Sequence, residues 1–224
     1  MTATVRDAFS RVFPFWSSLP ETEQETLVRA GRSLFFKAGS IIHDGTDCTG
    51  LFLVQRGSLR VYMTSEEGRE ITLYRLCEGD VCMLSASCVL QTITFDVQVC
   101  AEEDSDVILL SPGSFASASE RYPEVKIFGL ELAVERFSEV MWVFQQILFM
   151  STDRRLAIFL FEETSKRGSD TLSMTHEQIA RYIGSAREVV SRMLKYFSAE
   201  GIVTLFRGGV TVTNRAALRR LALE

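Results

Sequence analysis

Four polar side chains lie within six residues of one another in the last quarter of the chain: Arg187, Glu188, Ser191 and Arg192. On a helix they fall on one side near its N-terminus, and the apolar residues between and after them form the opposite side: Val189, Val190, Met193 and Leu194. Arginine can donate two hydrogen bonds to guanine and glutamate can accept from cytosine, each good contact discriminating by about 1–3 kcal/mol. The pattern indicates base recognition in a major groove.

The preceding residues could position this helix. Thr175 can cap a first helix through its hydroxyl, and Gly184 can adopt the positive φ that a turn requires. The apolar face of the first helix is Ile179, Ala180 and Ile183. The second helix is expected to start at about Ser185 or Ala186. This order predicts a helix-turn-helix.

Two short strands follow, Ile202–Phe206 and Val210–Thr213, joined by a tight turn at Arg207-Gly208-Gly209. We therefore predict a winged helix-turn-helix whose wing offers Arg207 to the phosphate backbone. The alternative is a small helical subdomain whose charges are only solvated. The candidate DNA-binding residues are Thr175, Ser185, Arg187, Glu188, Ser191, Arg192 and Arg207.

Charge is divided unevenly along the 224 residues, a length that allows two domains. Residues 151–224 carry 12 Lys+Arg against 8 Asp+Glu, whereas residues 1–150 carry 12 against 21, so an acidic chain has a basic C-terminal part. Phosphate contact depends on local charge. The expected partner is double-stranded DNA.

Five cysteines, an odd number, and the lack of a signal sequence predict a reducing, cytoplasmic location. The most apolar stretch, Val140–Met150, has only eleven residues and includes two glutamines. That is too short to span a bilayer, so we expect no membrane role.

Short apolar runs punctuated by glycines fill residues 33–112, which predicts strands and tight turns. The clearest strands are Leu51–Gly57, Leu59–Met63, Glu70–Arg75 and Val107–Leu110. They predict a small β-barrel or roll that can enclose a ligand.

A long helix is predicted after Pro123, with a heptad row of apolar residues that we call the seam: Leu130, Val134, Phe137, Met141, Phe144 and Leu148. The seam predicts a parallel homodimer. The alternative is packing on the chain's own barrel, and because Phe128, Trp142 and Phe149 lie off the seam, we expect both. Thr152 is the predicted cap of a next helix, Asp153–Lys166.

This order of elements resembles the Crp/Fnr family of bacterial transcription regulators over nearly the whole chain. The matching residues are Gly57, Gly68-Arg-Glu70 and Gly79-Asp80 in the roll, Asp153–Ala157, and Gly184 with Arg187-Glu188 and Arg192. The resemblance implies an α+β fold with three parts: a β-roll of the cyclic-nucleotide-binding jelly-roll type with N-terminal helices (1–122), a dimerisation helix (123–151) and a winged helix-turn-helix (152–224).

The resemblance also implies DNA targets. Glu188 and Arg192 match the pair that reads a G·C base pair in a TGA core. Arg187 matches an arginine of catabolite-activator-type members, whereas Ser191 matches the serine of Fnr-type members. We expect inverted repeats with TGA-containing half-sites, without a choice between TGTGA and TTGAT, and RNA polymerase as a protein partner.

The effector region departs from the cyclic-nucleotide-binding members. Their ribose-binding glutamate and phosphate-binding arginine are missing, and residues 76–120 contain no Lys, Arg or His. A buried phosphate without a cation is costly. Cyclic AMP is therefore disfavoured, unless an arginine enters from the partner subunit or elsewhere. An iron–sulfur cluster is also disfavoured, since no cysteine precedes Cys48.

The remaining signals are a small apolar or aromatic effector or a redox change. Cys77, Cys82 and Cys88 match no standard metal spacing, and we expect buried packing, with a thiol switch at Cys82 or Cys88 as the alternative. Haem is an unsupported alternative, since His43 is expected to be a barrel residue and His176 to be surface or phosphate-facing. The cofactor is unknown, and the predicted effector pocket contains Cys82, Met83, Leu84 and Ser85.

Two other classes of function make different predictions. An enzyme would need a catalytic constellation, and the sequence shows none, so we expect no enzymatic activity. A ligand-binding module that acts on a protein partner would not bind DNA in a salt-sensitive way. The favoured mechanism is a dimer in which ligand or redox state shifts the long helix. This shift moves the second helix of the helix-turn-helix, which we call the reading helix, in both subunits.

Overall fold

A computed structural model describes residues 4–45, 50–83 and 97–223. Its helices are α1 (Val5–Val12), α2 (Glu21–Ala30), α3 (Pro112–Arg121), α4 (Pro123–Phe149), α5 (Thr152–Arg167), α6 (His176–Ile183), α7 (Arg187–Ala199) and α8 (Arg215–Leu223). Its strands are β1 (Gly31–Phe36), β2 (Ile41–His43), β3 (Leu51–Arg56), β4 (Leu59–Thr64), β5 (Glu70–Leu76), β6 (Val81–Cys82), β7 (Gln98–Ala101), β8 (Ser105–Leu110), β9 (Thr171–Leu172), β10 (Val203–Phe206) and β11 (Gly209–Val212).

The chain divides into two compact units: Met1–Met63 with Leu73–Val140, and Thr64–Thr72 with Met141–Glu224. The first unit is built on two four-stranded sheets, in the orders β1-β8-β3-β6 and β2-β7-β4-β5. Side chains of both sheets share one apolar core. The predicted β-roll is therefore confirmed.

Strand β3 shows how one sheet serves two cores. Phe52 and Val54 belong to the core between the sheets, while Leu51 and Leu53 belong to a second core with the N-terminal helices. Successive side chains of a strand point to opposite faces, so four consecutive apolar residues indicate a strand covered on both sides.

Aromatic residues of the N-terminal segment dominate the second core. Phe13 stacks on Phe15 at 5.1 Å between ring centroids, and both rings make T-shaped contacts with Phe128 from α4, at 5.5 and 5.3 Å. Such pairs add about 0.5–1.5 kcal/mol each beyond the area that they bury. This packing fixes the first part of α4 on the core of the first unit, as predicted for Phe128. Trp142 and Phe149, for which the same packing was predicted, are instead exposed.

Helix α4 has two faces. Val125, Gly129, Leu132 and Arg136 are buried. The six seam residues are instead 38–65 % exposed in this single chain. The neighbouring Ile127, Trp142 and Phe149 are also exposed, Phe149 the most at 81 %. None of the helices in residues 4–45, 50–83 and 97–223 combines the length and apolar character needed to cross a bilayer.

The second unit contains α5 to α8 and a three-stranded sheet in the order β10-β11-β9. Strand β9 and helix α8 were not predicted, while the wing hairpin was. The prediction that Thr152 caps α5 is wrong. Ser151 holds the cap position with an extended backbone (φ −64°, ψ 156°) but makes no capping hydrogen bond through its side chain, and Thr152 is already the first helical residue.

Candidate nucleic-acid interface

Local chemistry defines both ends of α6. The Thr175 hydroxyl accepts the Gln178 backbone N–H at 3.2 Å, and the Gln178 side-chain oxygen accepts the Thr175 N–H at 2.8 Å. This capping box satisfies two donors that a helix start otherwise leaves free. Gly184 ends the helix with φ +61°, and the chain then turns through Ser185 into α7. The predicted helix-turn-helix is confirmed.

Arg155 of α5 fixes the end of α6, a role that the sequence did not indicate. Its buried guanidinium donates to the Ile183 carbonyl at 2.8 Å and to the Thr152 hydroxyl at 3.3 Å. Burial lowers the pKa of Arg155. The free carbonyls at a helix end favour a nearby cation, so Arg155 holds the turn of the helix-turn-helix on α5.

Helix α7 separates packing from recognition. Val190, Leu194 and Phe197 are buried in the core of the second unit, with Val189 and Met193 half-buried beside them. Arg187, Glu188 and Arg192 are exposed, and no salt bridge within the described residues engages them. Their charged ends are available to an external partner.

Ser191 is placed differently from these three residues. It is half-buried, and its hydroxyl lies 2.7 Å from Nδ1 of His176, the first residue of α6. His176 was expected to be a surface or phosphate-facing residue, and it is instead half-buried in a contact with the reading helix. The reason is the packing of α6 on α7, which brings together residues 15 positions apart in the chain.

The wing lies next to the reading helix in the chain. Strands β10 and β11 pair antiparallel with Phe206 opposite Gly209, so Arg207 and Gly208 form the tip. Gly208 has φ +84°, a value that suits a two-residue hairpin turn. Arg207 is exposed. Its position at the tip fits the predicted contact with a phosphate.

The predicted effector pocket is described only in part, because Leu84 and Ser85, like Cys88, lie outside the described residues. Cys82 and Met83 are buried, and the Cys82 sulfur lies 4.0 Å from the Tyr74 hydroxyl. Burial raises the pKa of Tyr74 well above its usual value, and Cys82 adds to the effect. Tyr74 is therefore neutral, and the environment of Cys82 is that of a packed thiol.

Arg136 of α4 brings a cation into this region of the first unit. Its side chain is 6 % exposed, and its guanidinium lies 5.1 Å from the centre of the Tyr74 ring. Glu139 pairs with it at 2.7 Å and Asp80 lies 4.0 Å away. Burial alone would lower the pKa of Arg136, but the hydrogen bond and charge of Glu139 raise it. The Arg136 Nε is buried without a hydrogen-bond partner.

His43, the other candidate haem ligand, is buried in β2, as expected for a barrel residue. Among the described residues, no three His, Cys, Asp or Glu side chains are grouped so that they could hold a metal ion. Two exposed surfaces stand out. One is the charged face of α7, formed by Arg187, Glu188 and Arg192, and the other is the apolar seam of α4.

Two protein-family models match separate parts of this chain. Residues 34–122 match the cyclic nucleotide-binding domain, and residues 154–221 match the Crp-like helix-turn-helix domain. A crystal structure assigned to a Crp/Fnr-family transcriptional regulator from Eubacterium rectale is 43% identical, covering 96% of this chain and 100% of that one, with a TM-score of 0.92.

Two curated relatives extend the match. The cyclic AMP receptor protein of Thermus thermophilus is 26% identical over 93% of this chain and 95% of its own length. The fumarate and nitrate reduction regulatory protein of Yersinia pestis is 28% identical over 89% and 79%. These relatives are regulators rather than enzymes, and this chain is likewise a DNA-binding regulator and not an enzyme. The chain belongs to the Crp/Fnr family of transcription regulators.

Proposed function

We propose that the protein acts as a homodimer on inverted repeats with TGA-containing half-sites, under the control of a signal in the β-roll that is not a cyclic nucleotide. The observation that carries the proposal is the pair of exposed surfaces on one chain: the charged side chains Arg187, Glu188 and Arg192 of α7 and the apolar seam of α4. RNA polymerase is the protein partner that family membership suggests.

The charged face of α7 has the chemistry for G·C base pairs. Arg192 can donate two hydrogen bonds to guanine O6 and N7, while Glu188, one turn earlier, can accept from a cytosine amino group. Arg187 can contact a further guanine, and Arg207 at the wing tip can contact a phosphate. Exposure of the four side chains leaves their charges free for these contacts. The half-site form, TGTGA or TTGAT, is left open.

The seam supports a dimer because exposing its apolar side chains to water is unfavourable. Phe137, for example, is 64 % exposed, and the row runs from Leu130 to Leu148 along one helix. Single chains rarely expose contiguous apolar patches of more than a few hundred Å² unless a partner covers them. A second copy of α4, with the same row in parallel, matches the heptad spacing. Two reading helices would then face the two halves of an inverted repeat.

An arginine from elsewhere in the chain lies near the region of the predicted effector pocket, at Tyr74 and Asp80. Arg136 is that residue, but Glu139 already pairs with it at 2.7 Å, and Asp80 adds a second negative charge. A phosphate would have to displace Glu139 and approach two carboxylates. The relatives differ in what their names state: one is a cyclic AMP receptor protein and the other a fumarate and nitrate reduction regulatory protein.

The test is selection of binding sites from random duplex DNA with purified protein, at one moderate salt concentration, in reducing and in oxidising buffer. We expect a two-fold-symmetric site with TGA in each half. Arg192→Ala should reduce discrimination at its guanine by about 10- to 100-fold, because one bidentate contact is lost. Arg219→Ala is the matched control, since it removes one exposed arginine of α8 outside the reading helix.

Unchanged discrimination in Arg192→Ala would contradict the base contact assigned to that residue. A selected site without two-fold symmetry would contradict the dimer. Enrichment only in reducing buffer would identify a redox signal, whereas equal enrichment in both buffers would favour a small-molecule effector or none.

A further inference from the structure

The contact between His176 and Ser191 links the two helices of the DNA-reading motif. Nδ1 of His176 and the hydroxyl oxygen of Ser191 are 2.7 Å apart, a distance typical of a strong hydrogen bond. Ser191 is the fifth residue of α7 and lies between Glu188 and Arg192 of the charged face. Any base contact of Ser191 therefore uses an oxygen that His176 already touches.

A hydroxyl has one proton, so the direction of this hydrogen bond matters. When Nδ1 accepts, the Ser191 proton points at His176 and only the oxygen lone pairs can face a base, which suits the amino groups of adenine and cytosine. When Nδ1 carries a proton and donates, the Ser191 proton is free for an acceptor, which suits guanine or thymine. Protonated histidine permits only the second arrangement, whereas neutral histidine permits both.

The surroundings of His176 place its charge under the influence of DNA. Burial lowers the pKa of His176, and the cations Arg187 and Lys195 of α7 lower it further. Glu177, its neighbour in α6, lies 3.8 Å from Arg181. His176 is thus neutral in the free protein near pH 7. Phosphates of bound DNA would offset the two α7 cations, and DNA binding would then raise the pKa of His176 towards the range in which it takes up a proton.

We propose that His176 is a positioning residue that sets the hydrogen-bond direction of Ser191, and thereby selects between keto and amino bases at the position that Ser191 reads. The proposal rests on the DNA reading proposed above. It makes base preference depend on pH at one position of each half-site.

The experiment uses the full chain and the selected operator. Each base pair of the half-site is replaced in turn, and the position read by Ser191 is found as the one whose preference changes in Ser191→Ala. The ratio of dissociation constants for amino and keto bases at this position is then measured by fluorescence anisotropy at about pH 6 and about pH 8. A ratio cancels every pH effect that the two duplexes share.

In the wild type we expect the preference to shift towards keto bases by about three- to tenfold at the lower pH, the effect of one hydrogen bond. Ser191→Ala and His176→Asn should show no shift. Asparagine can place a polar atom near the position of Nδ1 but does not titrate in this range. Lys195→Gln should move the midpoint of the shift to higher pH, because it removes a cation that lowers the pKa of His176.

The outcomes separate the two proposals. If the wild type selects no site, the DNA reading and the role of His176 are both overturned. If it selects a site but the ratio is independent of pH, or Ser191→Ala alters no base preference, only the role of His176 is overturned. A purely structural His176 would give a His176→Asn variant with weaker binding to all duplexes and a wild-type pH shift in the ratio.

Discussion

Replacing Phe137 by glutamate tests whether the seam holds two copies together. Phe137 is 64 % exposed in the single chain, which is about 130 Å² if a phenylalanine offers about 200 Å². At about 25 cal/mol per Å², burial of this area contributes about 3 kcal/mol per chain and about 6 kcal/mol per dimer. Each 1.4 kcal/mol is a factor of about ten, so the dimer dissociation constant should rise by about four orders of magnitude.

Sedimentation velocity over a concentration series measures this change, and anisotropy with the selected operator measures its effect on DNA binding. The fold itself should survive, because the Phe137 side chain is exposed in the monomer, and a thermal melt checks this. Ser138→Glu is the matched control: it adds the same charge one residue further along α4, outside the seam and also exposed. A Phe137→Glu protein that dimerises as tightly as the wild type would refute the reasoning.

Two further predictions concern stability. Gly184→Ala should cost about 1–2 kcal/mol, because alanine at φ +61° is strained, and its methyl group would lie 3.2 Å from the Ile147 side chain; an unchanged melting temperature would contradict this. Tyr74→Phe should remove part of the alkaline loss of stability. The pKa of Tyr74 in the folded protein lies well above the value of 10.0 for the unfolded chain. The contribution of the neutral Tyr74 to folding stability is therefore fully present below pH 10.0, and it is lost as the pH rises from 10.0 towards the folded pKa. Urea titrations on both sides of that pH measure the difference, and an equal loss in the variant would count against it.

The parts of the fold that sequence predicted well are those fixed by local chemistry. Thr175 with Gln178 and the positive φ of Gly184 define α6 within a few residues of chain. The glycine-bounded strands and the seven-residue period of the seam are similarly local. Cap positions are less certain, since Ser151 and Thr152 are both able to cap α5 and only the backbone conformation decides between them.

The parts that sequence could not predict depend on packing between distant residues. Arg136 reaches Tyr74, 62 positions earlier in the chain, because α4 lies against the roll in the first unit. Arg155 reaches the Ile183 carbonyl across 28 positions, and His176 meets Ser191 across 15. Neither periodicity nor composition contains these pairings, although a histidine at the start of α6 and a serine within the charged face were visible as separate residues.

The division of α7 into a packed side and a charged side has a consequence for how target preference could change over generations. Arg187, Glu188 and Arg192 contribute nothing to the core, so substitutions there can alter the recognised bases at little cost in folding. Ser191 is different, because its hydroxyl is shared with His176. Three positions of the reading helix can therefore diversify one at a time, whereas the fourth is expected to change together with a residue on another helix.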